Sequence, residues 1–428
     1  MKDSIIPVAV STPSTARPVF LMRLVRQAVL SRLQDLQHGE ITIVEDRNRQ
    51  TFGTRTETCP LSVTVQVTNP RFYSDIAFGG SVGAGEAYMS GFWSCDDLTA
   101  LIRIMVRNRE VLDGMETGLA RFTTPLRKLF HFLRRNSKDG SRHNIAAHYD
   151  LGNDFFALFL DETMTYSCGI FERENSALRD ASVAKIDRIC RKLQLSPDDH
   201  LLEIGTGWGA FALHAAQQYG CRVTTTTISQ EQYEFARQRV NSAGLIGQLT
   251  VLRQDYRDLK GQYDKLVSIE MIEAVGHAFY DTYFKRCSDL LKPDGMMLLQ
   301  AIIIADRFYE QAKRSVDFIQ RYIFPGSCIP SIAAINQSLA RATNMRLFHM
   351  EDITPHYAET LRHWRERFFA NISRVRALGY PEEFIRLWEF YLCYCEGGFR
   401  ERVIGDVQML LTKPLCRREP ILPPLSPV

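Results

Sequence analysis

The chain has no window approaching 18 unbroken apolar residues among its 428, so no membrane-spanning helix is expected. Its ten cysteines form no C-x-x-C pair. The nearest two, Cys393 and Cys395, are too close for a zinc knuckle and lie in a stretch of helical character. No metal site is expected, and the cysteines read as buried small hydrophobes in a reducing compartment. The formal net charge of +3 is small for a chain of this size and implies no polyanionic partner. The N-terminus shows no signal-peptide pattern: "IIPVAV" is short, broken by Pro7 and followed by the polar run "STPSTARP". A cytoplasmic location is the expectation. Beyond the first 18 residues there is no low-complexity tract, and no internal repeat.

What is present is enough for two domains. Residues 1–18 read as a disordered lead-in. Residues 18–36 carry apolar positions at Leu21, Val25, Ala28, Val29 and Leu33, with Arg23, Arg26 and Arg32 between them, the pattern of a basic amphipathic helix. "ITIVED", "LSVTVQVTN" and "RFYSDIAFGG" suggest a small sheet, after which "SVGAGEAYMSGFWSCDDLTALIRIMVRNRE" resumes helical character. Residues 19–120 are thus an N-terminal α+β domain, and 121–145 a basic connector. From Leu201 onward strands and helices alternate: "LLEIG", "RVTTTTI", "LTVLRQD", "DKLVSIEMI" and "GMMLLQAIII" are separated by helical segments. That alternation predicts an α/β domain with a parallel sheet, assigned to residues 146–428.

"LLEIGTGWGAFALHAA" (201–216) places Gly205, Gly207 and Gly209 between a strand and a helix, the context of a nucleotide-binding turn. A dinucleotide fold would add an acid at the end of the second strand for the ribose, and "TTTTIS" has none. S-adenosylmethionine, which lacks a pyrophosphate, fits better. Its amino-acid end would lie on the glycines, with Glu203 meeting the ammonium or a water on it. A plain tight strand–helix corner is the alternative.

"HYDLGNDFFALFLDETMTYSCGIF" (148–171), "TISQEQ" (227–232), "QDYRDL" (254–259), "MIEAVG" (271–276), "DTYFKRCSDLLKPDGMMLLQ" (281–300) and "HYAETLRHW" (356–364) occur in this order. Together they resemble the cyclopropane fatty acid synthases and mycolic acid methyltransferases, from about residue 145 to 412. "YMSGFWSCDDL" (88–98) extends a weaker resemblance to the bacterial cyclopropane synthases. The resemblance implies a seven-stranded Rossmann-like methyltransferase sheet, preceded by the smaller α+β domain, with a substrate cover near 305–342. It implies cofactor contacts by Tyr166 and Ser167, by Gly205 and Gly207, by Thr227 and Gln232 at the ribose, and by Tyr256 beside the adenine.

The family also uses a bound bicarbonate held by a cysteine segment, a glutamate, a histidine and a tyrosine. Cys168, Glu273 and Tyr357 match three of these, and Gln300 stands where the family has histidine. Gln300 and the main chain near Ile302 can donate hydrogen bonds to the ion, but an amide cannot take up a proton. The bicarbonate is therefore expected, without a histidine beside it to take up the proton. Ring closure to a cyclopropane competes with a hydride shift leading to a methyl-branched or methylene chain. Simpler roles exist for the same residues. Cys168 would suit a buried hydrophobe, Glu270 or Glu273 could cap the following turn, and Tyr357 could staple a helix start. Glu273 is preferred over Glu270 by its register in "MIEAVG". His148 and Tyr149 look structural or cofactor-covering.

The expected partners are a phospholipid bilayer surface and unsaturated acyl chains. Arg127, Lys128, Arg134 and Arg135, interleaved with Phe122, Phe130 and Phe132, suit anionic headgroups, as they would a solvated helix face. No nucleic-acid partner is expected. The resemblance also implies a homodimer through the N-terminal unit, as in related synthases, which would concentrate such patches. Two rival functions are methylation of a small amine and a lipid-binding protein without catalysis.

Overall fold

The computed structural model describes residues 19–111 and 151–421. The lead-in, the basic connector at 121–145, and His148 and Tyr149 lie outside the described residues. The described chain forms two compact units. One comprises 19–111, 317–319 and 379–397, the other 151–316, 320–378 and 398–421.

The first unit opens with α1 (Val19–Leu33), whose Val25, Val29, Leu30 and Leu33 are buried at helical spacing. Strands β1 (Gly39–Glu45), β2 (Asn48–Thr54) and β3 (Ser62–Val67) follow, then α2 (Arg71–Met89), β4 (Trp93–Cys95) and α3 (Leu98–Arg107). The sheet order is β2-β1-β3-β4, with β1 antiparallel to β2 and parallel to β3. Residues 71–80, expected as a strand, are instead the first half of α2. Phe72, Tyr73 and Ile76 are buried on one helical face. The helix kinks at Gly80 (φ 57°), and at Gly83 the chain passes so close to the Asp75 carbonyl that a Cβ would collide with it.

The second unit is built on strands β5 (His200–Ile204), β6 (Arg222–Thr227), β7 (Leu249–Arg253), β8 (Tyr263–Ile269), β9 (Leu291–Ile304), β10 (Arg346–Asp352) and β11 (Ile404–Thr412). Its longer helices are α4 (Leu178–Leu193), α5 (Ala210–Tyr219), α6 (Gln230–Ser242), α7 (Tyr280–Leu290), α8 (Asp306–Ala312), α9 (Ile332–Ala342) and α10 (Thr354–Ala370), with α11 (Glu382–Arg400) beginning among the residues of the first unit. The seven strands run in the order β10-β11-β9-β8-β5-β6-β7, parallel from β9 to β7, with β11 antiparallel to β9 and β10.

Side-chain alternation covers both faces. Leu202, Leu266, Met297 and Met409 pack with Phe284 of α7 and Ile335 of α9. Leu201, Val223, Val267, Leu298 and Leu410 pack with Ile186 and Ile189 of α4 and Phe211 of α5. By the same alternation Gln300 and Gln408 fall on the α4 face. The five strands read from the sequence are all present.

One boundary differs from expectation. Residues 317–319 and 379–397, assigned to the methyltransferase domain, group with the N-terminal unit. The cause is aromatic packing: the Phe390 ring lies 5.8 Å from Tyr88 and 4.6 Å from Phe318, and the Tyr88 hydroxyl donates to Glu389 at 2.6 Å. Among the described residues no helix is long and apolar enough to cross a membrane.

Candidate active site

The turn after β5 is held open by glycine. Gly205, Gly207 and Gly209 have φ of 105°, 51° and 87°, all in the region L side chains disfavour. The amides of Gly205 and Thr206 both donate to the Thr226 carbonyl, at 3.0 and 3.1 Å. A Cβ on Gly207 would meet no atom within 4 Å, so the turn presents open space there. A Cβ on Gly205 would come within 3.5 Å of Met271.

The other expected cofactor contacts lie on flanking elements. Glu203 is buried at the end of β5, where burial pushes its carboxyl up to about 8 while Thr225 donates to it at 2.6 Å. At the end of β6 the Thr227 hydroxyl donates to Gln232 Oε1 at 2.9 Å, committing the carbonyl end of that amide and leaving its NH2 to donate outward. Ser229 caps α6, so Gln232 sits in its first turn. Tyr256 packs edge-on against Tyr283, centroids 5.5 Å apart. Tyr166 lies among Phe156, Phe159 and Trp364, at 5.4, 6.2 and 5.1 Å. Lys185 donates to Ser167 Oγ at 2.8 Å, which orients the serine hydroxyl to donate elsewhere.

Four residues were expected around an ion: Cys168, Glu273, Gln300 and Tyr357. The structure brings three of them together on a side chain that was passed over. The Glu270 carboxylate accepts from the Cys168 main-chain N–H at 2.9 Å, from Gln300 Nε2 at 2.7 Å and from the Tyr357 hydroxyl at 2.5 Å. Glu270 follows β8 directly in the left-handed conformation (φ 48°), and its own N–H donates to the Gln300 carbonyl at 2.8 Å. A glutamate held in so unfavourable a conformation, with three donors on its carboxylate, is a built feature. Cys168 contributes its main chain, while its thiol points to the Gly169 carbonyl at 3.1 Å and is raised by burial.

Glu273 stands apart from these donors. Its Oε1 takes the Ile302 N–H at 2.6 Å, and its Oε2 is buried with no hydrogen-bond partner among the described residues. Burial and the neighbouring Glu270 push its carboxyl up to about 8. Burial raises Glu270 as well, opposed by Tyr357, the Cys168 amide, Lys185 and Gln300. Asp406 on β11 is fully buried, with one oxygen 3.0 Å from Gln300 Nε2, and burial beside Glu270 and Glu273 pushes its carboxyl well above the usual carboxylate range. Burial lowers the pKa of Lys185, opposed by the neighbouring Glu270, Cys168, Asp406 and Glu203.

Sequence reasoning missed Lys185, Asp406 and Gln408 entirely. Each left a trace. Lys185 falls on the apolar stripe of α4 between Ala181 and Ile189, and Asp406 and Gln408 interrupt an otherwise apolar interior strand at a spacing of two. Among the described residues no group of His, Cys, Asp and Glu could hold a metal ion.

A parallel sheet of this order, closed by an antiparallel β11 and carrying an open glycine turn after β5, defines an S-adenosylmethionine-dependent methyltransferase. Residues 136–409 match the sequence model of the mycolic acid cyclopropane synthetase family, and the chain belongs to that family. It is 40% identical over 342 residues to tuberculostearic acid methyltransferase UfaA1 of Mycobacterium tuberculosis, covering 78% of this chain and 79% of that protein. It is 38% identical over 352 residues to cyclopropane-fatty-acyl-phospholipid synthase of Escherichia coli, covering 82% and 87%. The solved structure of mycolic acid cyclopropane synthase CmaA1 complexed with SAH and CTAB superposes with a TM-score of 0.59 at 35% identity, covering 64% of this chain and 98% of that one.

Proposed function

We propose that the protein methylates the double bond of unsaturated phospholipid acyl chains, and that Glu270 is the base that removes the proton afterwards. S-adenosylmethionine, when bound, supplies an electrophilic methyl group. Gly205 and Gly207 would receive its amino-acid end, Gln232 its ribose, and Tyr166 and Ser167 would cover it. The open space at Gly207 fits such a ligand.

An isolated alkene is a weak nucleophile, so the chain's task is to align it, exclude water and meet the charge that develops. Methyl addition to one alkene carbon leaves a cation on the other. Aromatic side chains near the site, Tyr166 beside Trp364 at 5.1 Å among them, are of the kind whose π faces stabilise such a charge. The cation is discharged by loss of a proton. Taken from the added methyl of this first cation, it closes a cyclopropane; after a hydride shift onto the cationic carbon, its loss from the methyl leaves a methylene branch, and its loss from the adjacent chain carbon leaves a methyl-branched alkene. The relatives named for cyclopropane and for tuberculostearic products support both outcomes.

The observation that carries the base assignment is the convergence of three donors on the buried Glu270 carboxylate. These are the donors expected around a bicarbonate. A carboxylate of the chain fills that place, and Gln300 holds it where a histidine would have been needed to share the work with an exchangeable ion. No bicarbonate is required on this account. A small amine acceptor would leave the basic stretch 121–145 without a role. We assign the membrane approach to the basic stretch 121–145, on its composition.

The test is incubation of the protein with methyl-labelled S-adenosylmethionine and vesicles of cis-monounsaturated phospholipid, followed by mass spectrometry of the acyl chains. A labelled one-carbon gain is expected, and its fragmentation separates ring from branch. Unlabelled lipid with label passed to small amines overturns the proposal.

A further inference from the structure

Behind Gln300 a single file of polar side chains crosses the α4 face of the sheet. Gln300 Oε1 accepts from Gln408 Nε2 at 3.0 Å, and Gln408 Oε1 accepts from Lys192 Nζ at 2.8 Å. Lys192 in turn pairs with Glu351 at 2.6 Å, and Glu351 is also held by Arg188. Both glutamines are fully buried.

We propose that Lys192 and Gln408 are positioning residues that fix which end of the Gln300 amide faces Glu270. The reason is donor and acceptor arithmetic. An ammonium paired with a carboxylate only donates, so Gln408 must turn its carbonyl to Lys192. Its NH2 then points at Gln300, whose carbonyl must receive it. The Gln300 NH2 is left for Glu270 and Asp406. Rotating the Gln408 amide sets its NH2 against the ammonium and its carbonyl against the Gln300 carbonyl, and rotating Gln300 alone sets NH2 against NH2, in a buried setting where unmatched polar groups are costly. A free glutamine would turn its carbonyl to Glu270 once that carboxyl is protonated, and so stabilise the protonated form. The file denies it that rotation, and Glu270 stays a base at lower pH than burial alone would allow.

The charged and titratable groups around the file are Glu273 after β8, Asp406 on β11, Lys185 and Arg188 on α4, Tyr357 on α10, Cys168 before α4, His349 and Glu351 on β10, and Arg418. Gln408→Met changes none of these charges. Lys192→Met removes the donor that orients the file, and Lys192→Arg restores one. Arg188→Met removes a comparable charge from Glu351 without touching the amides.

The inference rests on Glu270 being the base, so two readouts are taken. The Glu270 pKa is read directly, as the protonated-carboxyl infrared band that disappears in Glu270→Gln, and the acid limb of kcat against pH is read beside it. Gln408→Met and Lys192→Met should raise both by about one pH unit, roughly a tenfold change in the protonation equilibrium. Lys192→Arg and Arg188→Met should leave both in place, and S-adenosylhomocysteine affinity should hold throughout. A Glu270 band that titrates as in the unaltered protein in both Gln408→Met and Lys192→Met overturns the positioning role. A band that moves while the kinetic limb stays supports the positioning and overturns Glu270 as the base.

Discussion

The Tyr357 hydroxyl donates to Glu270 Oε2 at 2.5 Å, and the Tyr357 ring stacks on Phe399 at 4.3 Å. The hydroxyl acts on the charge of the carboxylate, whereas the ring belongs to the packing, and one substitution separates them. Tyr357→Phe keeps the stack and loses a hydrogen bond to a charged group, a contribution of about 1.5–3 kcal/mol. That bond lowers the Glu270 pKa, so its loss raises it, and a base is lost as pH falls through its pKa. The acid limb of kcat should move to higher pH by about 1–2 units. By linkage the same loss lowers stability at pH values where Glu270 is ionised and fades in acid, where it is protonated in both forms. A pH–rate profile and a melting curve check both.

The glycine turn predicts a split between stability and binding. Gly205 has φ of 105°, outside the left-handed well, and Gly207 has φ of 51°, inside it. Gly205→Ala should lower stability by roughly 1–3 kcal/mol. Gly207→Ala should cost about 1 kcal/mol, because its Cβ enters open space. That same Cβ would occupy room proposed for the cofactor. Calorimetric titration with S-adenosylhomocysteine should show the larger loss of affinity per unit of lost stability in Gly207→Ala.

Glu273 and Glu203 both have folded-state pKa values of about 8, raised from the ordinary carboxylate range chiefly by burial. Between those limits the folded protein binds more protons than the unfolded chain. Stability from these groups is therefore greatest at low pH and declines as pH rises from about 4.5 towards 8. Glu273→Gln keeps an oxygen for the Ile302 N–H and removes one titrating group. Denaturant melts between pH 5 and 8 should show a shallower decline in the variant. An unchanged slope would mean that Glu273 is ionised in the folded state.

The sheet was legible in the sequence because buried parallel strands are apolar runs, and the helices between them carry their own period. Residues 71–80 were not, since Phe72, Tyr73 and Ile76 suit either a strand or one face of a helix, and only packing decides. The motif residues of the site were legible by register. Glu270 was not chosen over Glu273 because what distinguishes them is tertiary. One has a left-handed backbone that turns its carboxylate to Tyr357, Cys168 and Gln300; the other is tied to the main chain of β9. The polar file behind Gln300 joins α4, β9 and β11, segments more than 100 residues apart in sequence, which no local pattern connects.

Measurement of turnover in bicarbonate-free buffer, for the unaltered protein and for Glu270→Gly, tests the central claim most directly. Glycine tolerates the φ of 48°, so the variant should fold. It leaves the Cys168 amide, Gln300 and Tyr357 facing a vacated carboxylate position. The account predicts full activity without bicarbonate in the unaltered protein. It predicts a loss of about 10²-fold or more in the variant, partly restored by added bicarbonate. Dependence of the unaltered protein on bicarbonate, or full activity of Glu270→Gly without any added anion, would contradict it.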